Sequence, residues 1–82
     1  MLPEFDAEEI ASWWAAAQAT TELALQTLPH NDSHRPGLMA FRRCLGDASL
    51  VLTEYREWRR RFPGLTATLT RAGRQAAMEL GL

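Results

Sequence analysis

An all-α fold is predicted, an antiparallel helical hairpin with a third helix across it, similar to a three-helix bundle. Apolar residues recur every three or four positions over most of the 82 residues, which is the spacing of one helix face. Proline-containing breaks divide the chain into three such stretches. No stretch shows the apolar–polar alternation of a half-buried strand. We expect one helical domain over residues 1–82, with helices at about 6–28, 36–61 and 66–80.

The first helix is predicted to begin at Asp6, whose side chain can accept hydrogen bonds from the free N–H groups of a first turn. Glu9, three residues later, completes a capping-box pattern, and Phe5 with Ile10 can form a hydrophobic staple. Spacings of three and four then define one apolar face. Its members are Ile10, Trp14, Ala17, Thr21, Ala24 and Leu28.

The second helix is expected to be the longest, because it carries the most regular apolar periodicity. Asp32 or Ser33 can cap it, and Pro36 suits its first turn. A heptad-like seam follows, made of Leu38, Phe41, Leu45, Ala48, Leu52, Tyr55, Arg59 and Phe62. The seam predicts that Leu45, Leu52 and Tyr55 are buried against helix 1, with Leu52 beside Trp14.

The third helix follows a break at Pro63-Gly64 and is expected to start at a Thr66 or Thr68 cap and to end at Gly81. Its apolar stripe is narrow and consists of Leu65, Leu69, Ala72, Ala76 and Leu80. Such a stripe can cover one side of the hairpin but not both. Apolar residues on the other side are then left for a partner.

Surplus apolar residues predict a protein-binding surface. Met39, Gly46 and Leu50 form a second stripe on helix 2, while Trp58 widens the flank of its seam. Trp13 points about 100° away from Trp14 and cannot share its face. A small monomer does not usually expose so much apolar surface. We therefore expect another protein to bind at Trp13, Met39, Gly46, Leu50 and Trp58, with a second copy, in a homodimer, as the simplest partner.

Charge is divided unevenly along the chain. Residues 1–34 hold six acidic residues and no arginine, whereas residues 35–82 hold all nine arginines and four acidic residues, for a net charge of −1. The division indicates that the acidic start of helix 1 lies against the basic end of helix 2. Arginine beside an aromatic residue can also bind phosphates and stack bases. The alternative function is thus nucleic-acid binding through Arg56, Arg60, Arg61, Arg71 and Arg74.

Catalytic and metal-binding patterns are incomplete. His30 and His34 fall in a turn bracketed by prolines, without a second ligand pair, and Cys44 lies on an apolar arc, where a free cysteine is usually a small core residue. Glu54 and Glu57 could contribute to a Mg²⁺-dependent helical enzyme, a third hypothesis, but a surface charge pair is the simpler interpretation. We expect no catalytic site, metal or cofactor.

The sequence as a whole predicts a cytoplasmic protein that acts by binding. Its N-terminus lacks the basic and apolar segments of a signal peptide, no apolar run could span a bilayer, and one cysteine cannot form an internal disulfide. We expect a non-enzymatic interaction protein such as an adaptor, chaperone or inhibitor. Small inhibitors encoded by phages and mobile elements share this size and lack of catalytic motifs, by analogy of class.

Overall fold

Four α-helices make up the part of the chain that the computed structural model describes, residues 7–81. They are α1 (Ala7–Thr27), α2 (Arg35–Leu45), α3 (Ala48–Arg61) and α4 (Pro63–Glu79). These residues contain no strand. The all-helical prediction is confirmed, whereas the three-helix arrangement is wrong, because the predicted second helix is two helices. The predicted cap at Asp6 and staple at Phe5 lie outside the described residues.

The break between α2 and α3 falls at Gly46 and Asp47, in the middle of the predicted helix. Asp47 is extended, and its carboxylate accepts hydrogen bonds from the Ser49 backbone N–H at 3.0 Å and the Ser49 hydroxyl at 2.6 Å. Gly46 closes α2 by donating its N–H to the carbonyls of Arg42 and Arg43. Aspartate and serine side chains compete with helical hydrogen bonds in this way. A local cap therefore interrupts the heptad periodicity.

The Asp47 cap makes the junction between α2 and α3 sensitive to acid. Hydrogen bonds from the Ser49 hydroxyl and then from its backbone N–H hold the pKa of Asp47 below its usual value. A carboxylate whose pKa is lowered by folding stabilises the protein above its unfolded pKa of about 4, and this contribution is lost as the pH falls through the folded value. We expect Asp47→Ala to lower the melting temperature clearly at pH 7 and much less at pH 2.

Thermal unfolding followed by circular dichroism at both pH values measures this effect. Asp47→Asn is the matched control, because an amide side chain also caps helices but does not titrate. This variant should stay close to the wild type at pH 7. An equal loss for Asp47→Ala at both pH values would contradict a role for the ionised carboxylate.

The helices α1 and α2 are antiparallel, as predicted. The Trp14 indole N–H donates to the Leu45 carbonyl at 2.7 Å, and an Arg42 Nη nitrogen lies 3.3 Å from a carboxylate oxygen of Glu22. The Trp14 indole thus bonds Leu45 and not its predicted neighbour Leu52, whereas the Glu22–Arg42 pair lies within two residues of the predicted register. Because the helix is interrupted before Leu52, this residue does not continue the face of α2.

Trp13 lies at the centre of the core. Its side chain is fully buried, and its ring makes edge contacts with Phe41, Tyr55 and Trp58 at centroid distances of 6.4, 5.4 and 6.1 Å. The other buried apolar residues are Ala17, Leu25, Leu45, Val51 and Tyr55. Burial of Leu45 and Tyr55 is thus confirmed. Burial of Leu52 is wrong, since 39% of this residue is exposed.

The last helix begins at Pro63, three residues before its predicted start. Proline suits this position because the first turn leaves its N–H groups unpaired and needs the φ that proline fixes. The break therefore falls at Phe62 and not at Pro63-Gly64. Neither predicted threonine cap is correct: Thr66 is buried inside α4, and the Thr68 hydroxyl donates to the Gly64 carbonyl at 2.9 Å.

Small residues let α4 pack closely against α1. Gly73 is buried, and a Cβ added to it would lie 2.0 Å from the Ser12 carbonyl oxygen. Only a glycine permits this approach of the two backbones. The last helix thus covers α1, while Met39 and Leu50 stay exposed.

Candidate functional site

An apolar groove beside Trp58 is the first candidate site. Its volume is about 140 Å³. All four helices contribute to its lining, which consists of Ala17, Thr20, Thr21, Ala24, Leu38, Phe41, Trp58 and Leu69. The Trp58 ring stacks on Phe41, with centroids 5.1 Å apart and planes inclined by 21°. We call this feature the Trp58 groove.

The aromatic stack continues from the core to solvent through Phe62. The Phe62 ring contacts Trp58 edge-on at a centroid distance of 5.3 Å, yet 48% of Phe62 is exposed. Trp58 in turn contacts the buried Trp13. An exposed ring supported by a rigid aromatic stack offers a binding surface that loses little conformational entropy when it is covered.

The five predicted partner-binding residues occupy three different settings. Trp13 is fully buried and is not available at the surface, because the neighbouring helices close around it. Met39 and Leu50 are exposed by 43% and 42%, and Gly46 is exposed as well. However, the break at Gly46 places the two large side chains on separate helices, so the predicted continuous stripe on one helix is wrong. Trp58 lines the groove.

The predicted nucleic-acid residues divide between two surfaces. On α3, Arg60 and Arg61 approach the Glu57 carboxylate at 2.9 and 3.7 Å, and Arg56 is exposed on the same helix. The hydrogen bond from Arg60, and then its charge, hold the pKa of Glu57 below its usual value. Glu57 is thus engaged by arginines, which does not favour its predicted use as a Mg²⁺ ligand.

The other two arginines, Arg71 and Arg74, line a polar cleft between α1, α3 and α4. The cleft has a volume of about 370 Å³. Its full lining is Glu9, Tyr55, Arg59, Pro63, Thr66, Ala67, Thr70, Arg71 and Arg74. The Tyr55 hydroxyl donates to a Glu9 carboxylate oxygen at 3.5 Å, and burial, followed by the Glu9 charge, raises the pKa of Tyr55. We call this feature the arginine cleft.

The acidic start of α1 lies against arginines of both α3 and α4. The Arg74 Nε lies 3.4 Å from a Glu8 carboxylate oxygen, and Glu9 shares the cleft with Arg59 and Arg71. The charge pattern predicted this role for the end of the second helix only. The difference arises because α4 packs along α1, a contact that the charge pattern alone does not specify.

Local hydrogen bonds hold the turn that contains His30 and His34. The Asp32 carboxylate accepts a hydrogen bond from the His34 backbone N–H at 2.8 Å, and this bond is the main cause of the lowered pKa of Asp32. His34, not Asp32 or Ser33, occupies the N-cap position of α2. Within residues 7–81, no group of three or more histidine, cysteine or acidic side chains could hold a metal ion. None of the helices described there is long and apolar enough to cross a membrane.

Comparison with known proteins does not identify a relative. The chain matches no protein family model, and no curated protein or solved structure is significantly similar to it. The Trp58 groove and the arginine cleft are therefore the features from which a function is inferred.

Proposed function

We propose that this protein is a small non-enzymatic interaction module of the cytoplasm that binds another protein at the Trp58 groove. The observation that carries the proposal is an open, aromatic-lined groove on a chain with more apolar surface than it can bury. Among the described residues, six apolar side chains are buried and eight large ones are exposed. The exposed ones are Leu23, Met39, Leu50, Leu52, Phe62, Leu65, Met78 and Leu80.

The size of the groove suits a single large apolar side chain of the partner. Its volume of about 140 Å³ is close to the roughly 150 Å³ of an apolar cavity that binds benzene. A partner helix that inserts one leucine or phenylalanine would bury this side chain against Phe41, Trp58 and Leu69. Helices commonly dock into grooves through such anchors.

The basic charge of residues 35–82 favours an acidic partner. Three of the four helices lie within residues 35–82, which carry nine arginines and four acidic residues. Complementary charge around an apolar anchor speeds association and selects the partner. We therefore expect the partner segment to combine an apolar anchor with flanking aspartates or glutamates.

Affinity capture from the native host tests the groove. Thr20 is exposed on its rim, and Thr20→Glu places a charge beside the apolar lining, where burial without a partner is costly. The matched control is Thr53→Glu, an identical change at an exposed position of α3 outside the groove. We expect Thr53→Glu to retain the wild-type partner and Thr20→Glu to bind it about tenfold less. Equal binding by the two variants would contradict the proposal.

Self-association at the exposed Met39 and Leu50 is the competing use of the apolar surface. Light scattering of a homodimer would give about twice the 9.2 kDa chain mass. Leu50→Glu should then restore the monomer while Thr20→Glu leaves the dimer intact. This result would assign the partner surface to α2 and α3 and to a second copy of the chain.

Nucleic-acid binding has less support as the alternative function. A continuous basic surface would be needed to follow a phosphate backbone. Instead, Arg60 and Arg61 share Glu57, and Arg74 is paired with Glu8. The arginine cleft is a compact basic feature, and its size suits a small ligand.

A further inference from the structure

We infer that the arginine cleft binds a phosphate monoester group, free or carried by a small molecule such as a mononucleotide. This inference is independent of the proposed partner groove, since the two features have no lining residue in common.

Three guanidinium groups from two helices line one cleft. Arg59 comes from α3, and Arg71 and Arg74 come from successive turns of α4. Arg71 is exposed and makes no ion pair within residues 7–81. The volume of about 370 Å³ lies at the small end of the range for ligand pockets, roughly 300–1,000 Å³. The cleft can therefore hold a small molecule and still present arginine to it.

The charge of the lining selects the class of ligand. Three arginines and one glutamate, Glu9, give the lining a formal charge of +2. A phosphate monoester carries a charge of about −1.5 to −2 at neutral pH. One guanidinium group can donate two parallel hydrogen bonds to two of its oxygens. Arg74 is paired with the Glu8 carboxylate, and Glu9 also lies in the lining, so Arg71 contributes the charge that no ion pair in the described part of the chain offsets.

Groups other than arginine in the cleft also favour an anion. The first turn of α4 borders the cleft at Pro63 and has no side-chain cap, so the positive end of its helix dipole faces the cleft region. Thr66 also lines the cleft, is 3% exposed, and has a hydroxyl without a hydrogen-bond partner among the described residues.

Titration of the ¹⁵N-labelled full chain with inorganic phosphate and with adenosine monophosphate, at constant ionic strength, tests the inference by NMR. We expect saturable shifts of backbone amides in residues 63–74. Arg71→Gln should weaken phosphate binding by about tenfold or more. The matched control is Arg43→Gln, which removes the same charge from an exposed arginine of α2 that also has no ion pair in the described part of the chain. It should change the affinity by less than about twofold.

The two probes separate the sources of the phosphate group. Equal affinities would show that the phosphate alone is recognised, whereas tighter binding of the nucleotide would show that the nucleoside also contacts the cleft; both results support the inference. The inference would be overturned by three results: no saturable shift, equal weakening in the two arginine variants, or equally tight binding of acetate. Circular dichroism of both variants verifies that they are folded.

Discussion

Gly73→Ala is expected to lower the free energy of unfolding by about 1–3 kcal/mol, the usual cost of overpacking. This loss is expected although alanine by itself favours a helix over glycine by about 1 kcal/mol. It arises because the new Cβ would lie 2.0 Å from the Ser12 carbonyl oxygen, and backbone cannot move aside as a flexible side chain does. The helices α1 and α4 must therefore separate, which exposes part of their shared interface. Urea denaturation measures the change.

Two other glycines serve as matched controls for this prediction. Gly37 and Gly64 lie in the first turns of α2 and α4, and a Cβ at either position would meet no atom within 4 Å. Alanine at these positions should leave stability unchanged or raise it by up to about 1 kcal/mol. If Gly73→Ala were as stable as these variants, α1 and α4 would not be in backbone contact.

Trp13→Ala is expected to have the largest effect of any single truncation, about 3–5 kcal/mol. The Trp13 side chain is fully buried and is the ring that joins Phe41, Tyr55 and Trp58. Small domains have total stabilities of only about 0.05–0.15 kcal/mol per residue. For 82 residues this is about 4–12 kcal/mol, so the variant should lose a large part of its stability and unfold at a much lower urea concentration, which far-UV circular dichroism would show.

The controls for Trp13 test whether stability depends on the observed buried core or on the heptad seam predicted from the sequence. Trp13→Phe should lower the free energy of unfolding much less than Trp13→Ala. Phenylalanine retains a ring and removes an indole N–H that is buried without a hydrogen-bond partner among the described residues. Leu52→Ala should cost less than about 1.5 kcal/mol, because Leu52 is 39% exposed. A loss at Leu52 equal to that at Trp13 would favour the uninterrupted heptad seam over the observed core.

Local signals in the sequence determined the helical class and several helix ends. Helix α1 occupies Ala7–Thr27, close to the predicted 6–28. Pro36 lies in the first turn of α2 as expected, and Gly81 follows α4 with a φ of 75°, as a C-terminal glycine does. Each signal depends on a few consecutive residues and on backbone hydrogen bonds within one turn, so it can be recognised without knowing the neighbours.

Tertiary structure decided which tryptophan is buried and where the arginines meet. Trp13 and Trp14 are adjacent and equally apolar, and only the positions of α2, α3 and α4 place the first in the core and leave the second to bond the Leu45 carbonyl. The arginine cleft likewise requires α3 and α4 to converge on the start of α1.

The interruption of the helix at Asp47 is a local signal that affects the tertiary packing. Apolar spacing on both sides of it is compatible with one long helix, and the Asp47–Ser49 cap competes with that helix by only a few hydrogen bonds. Breaking the helix leaves Leu52 partly exposed and lets Val51 and Tyr55 pack around Trp13. The sequence alone thus determined the helical class and the distribution of charge, whereas the core and both candidate sites depended on the packing of distant helices, because burial is a property of contacts between segments.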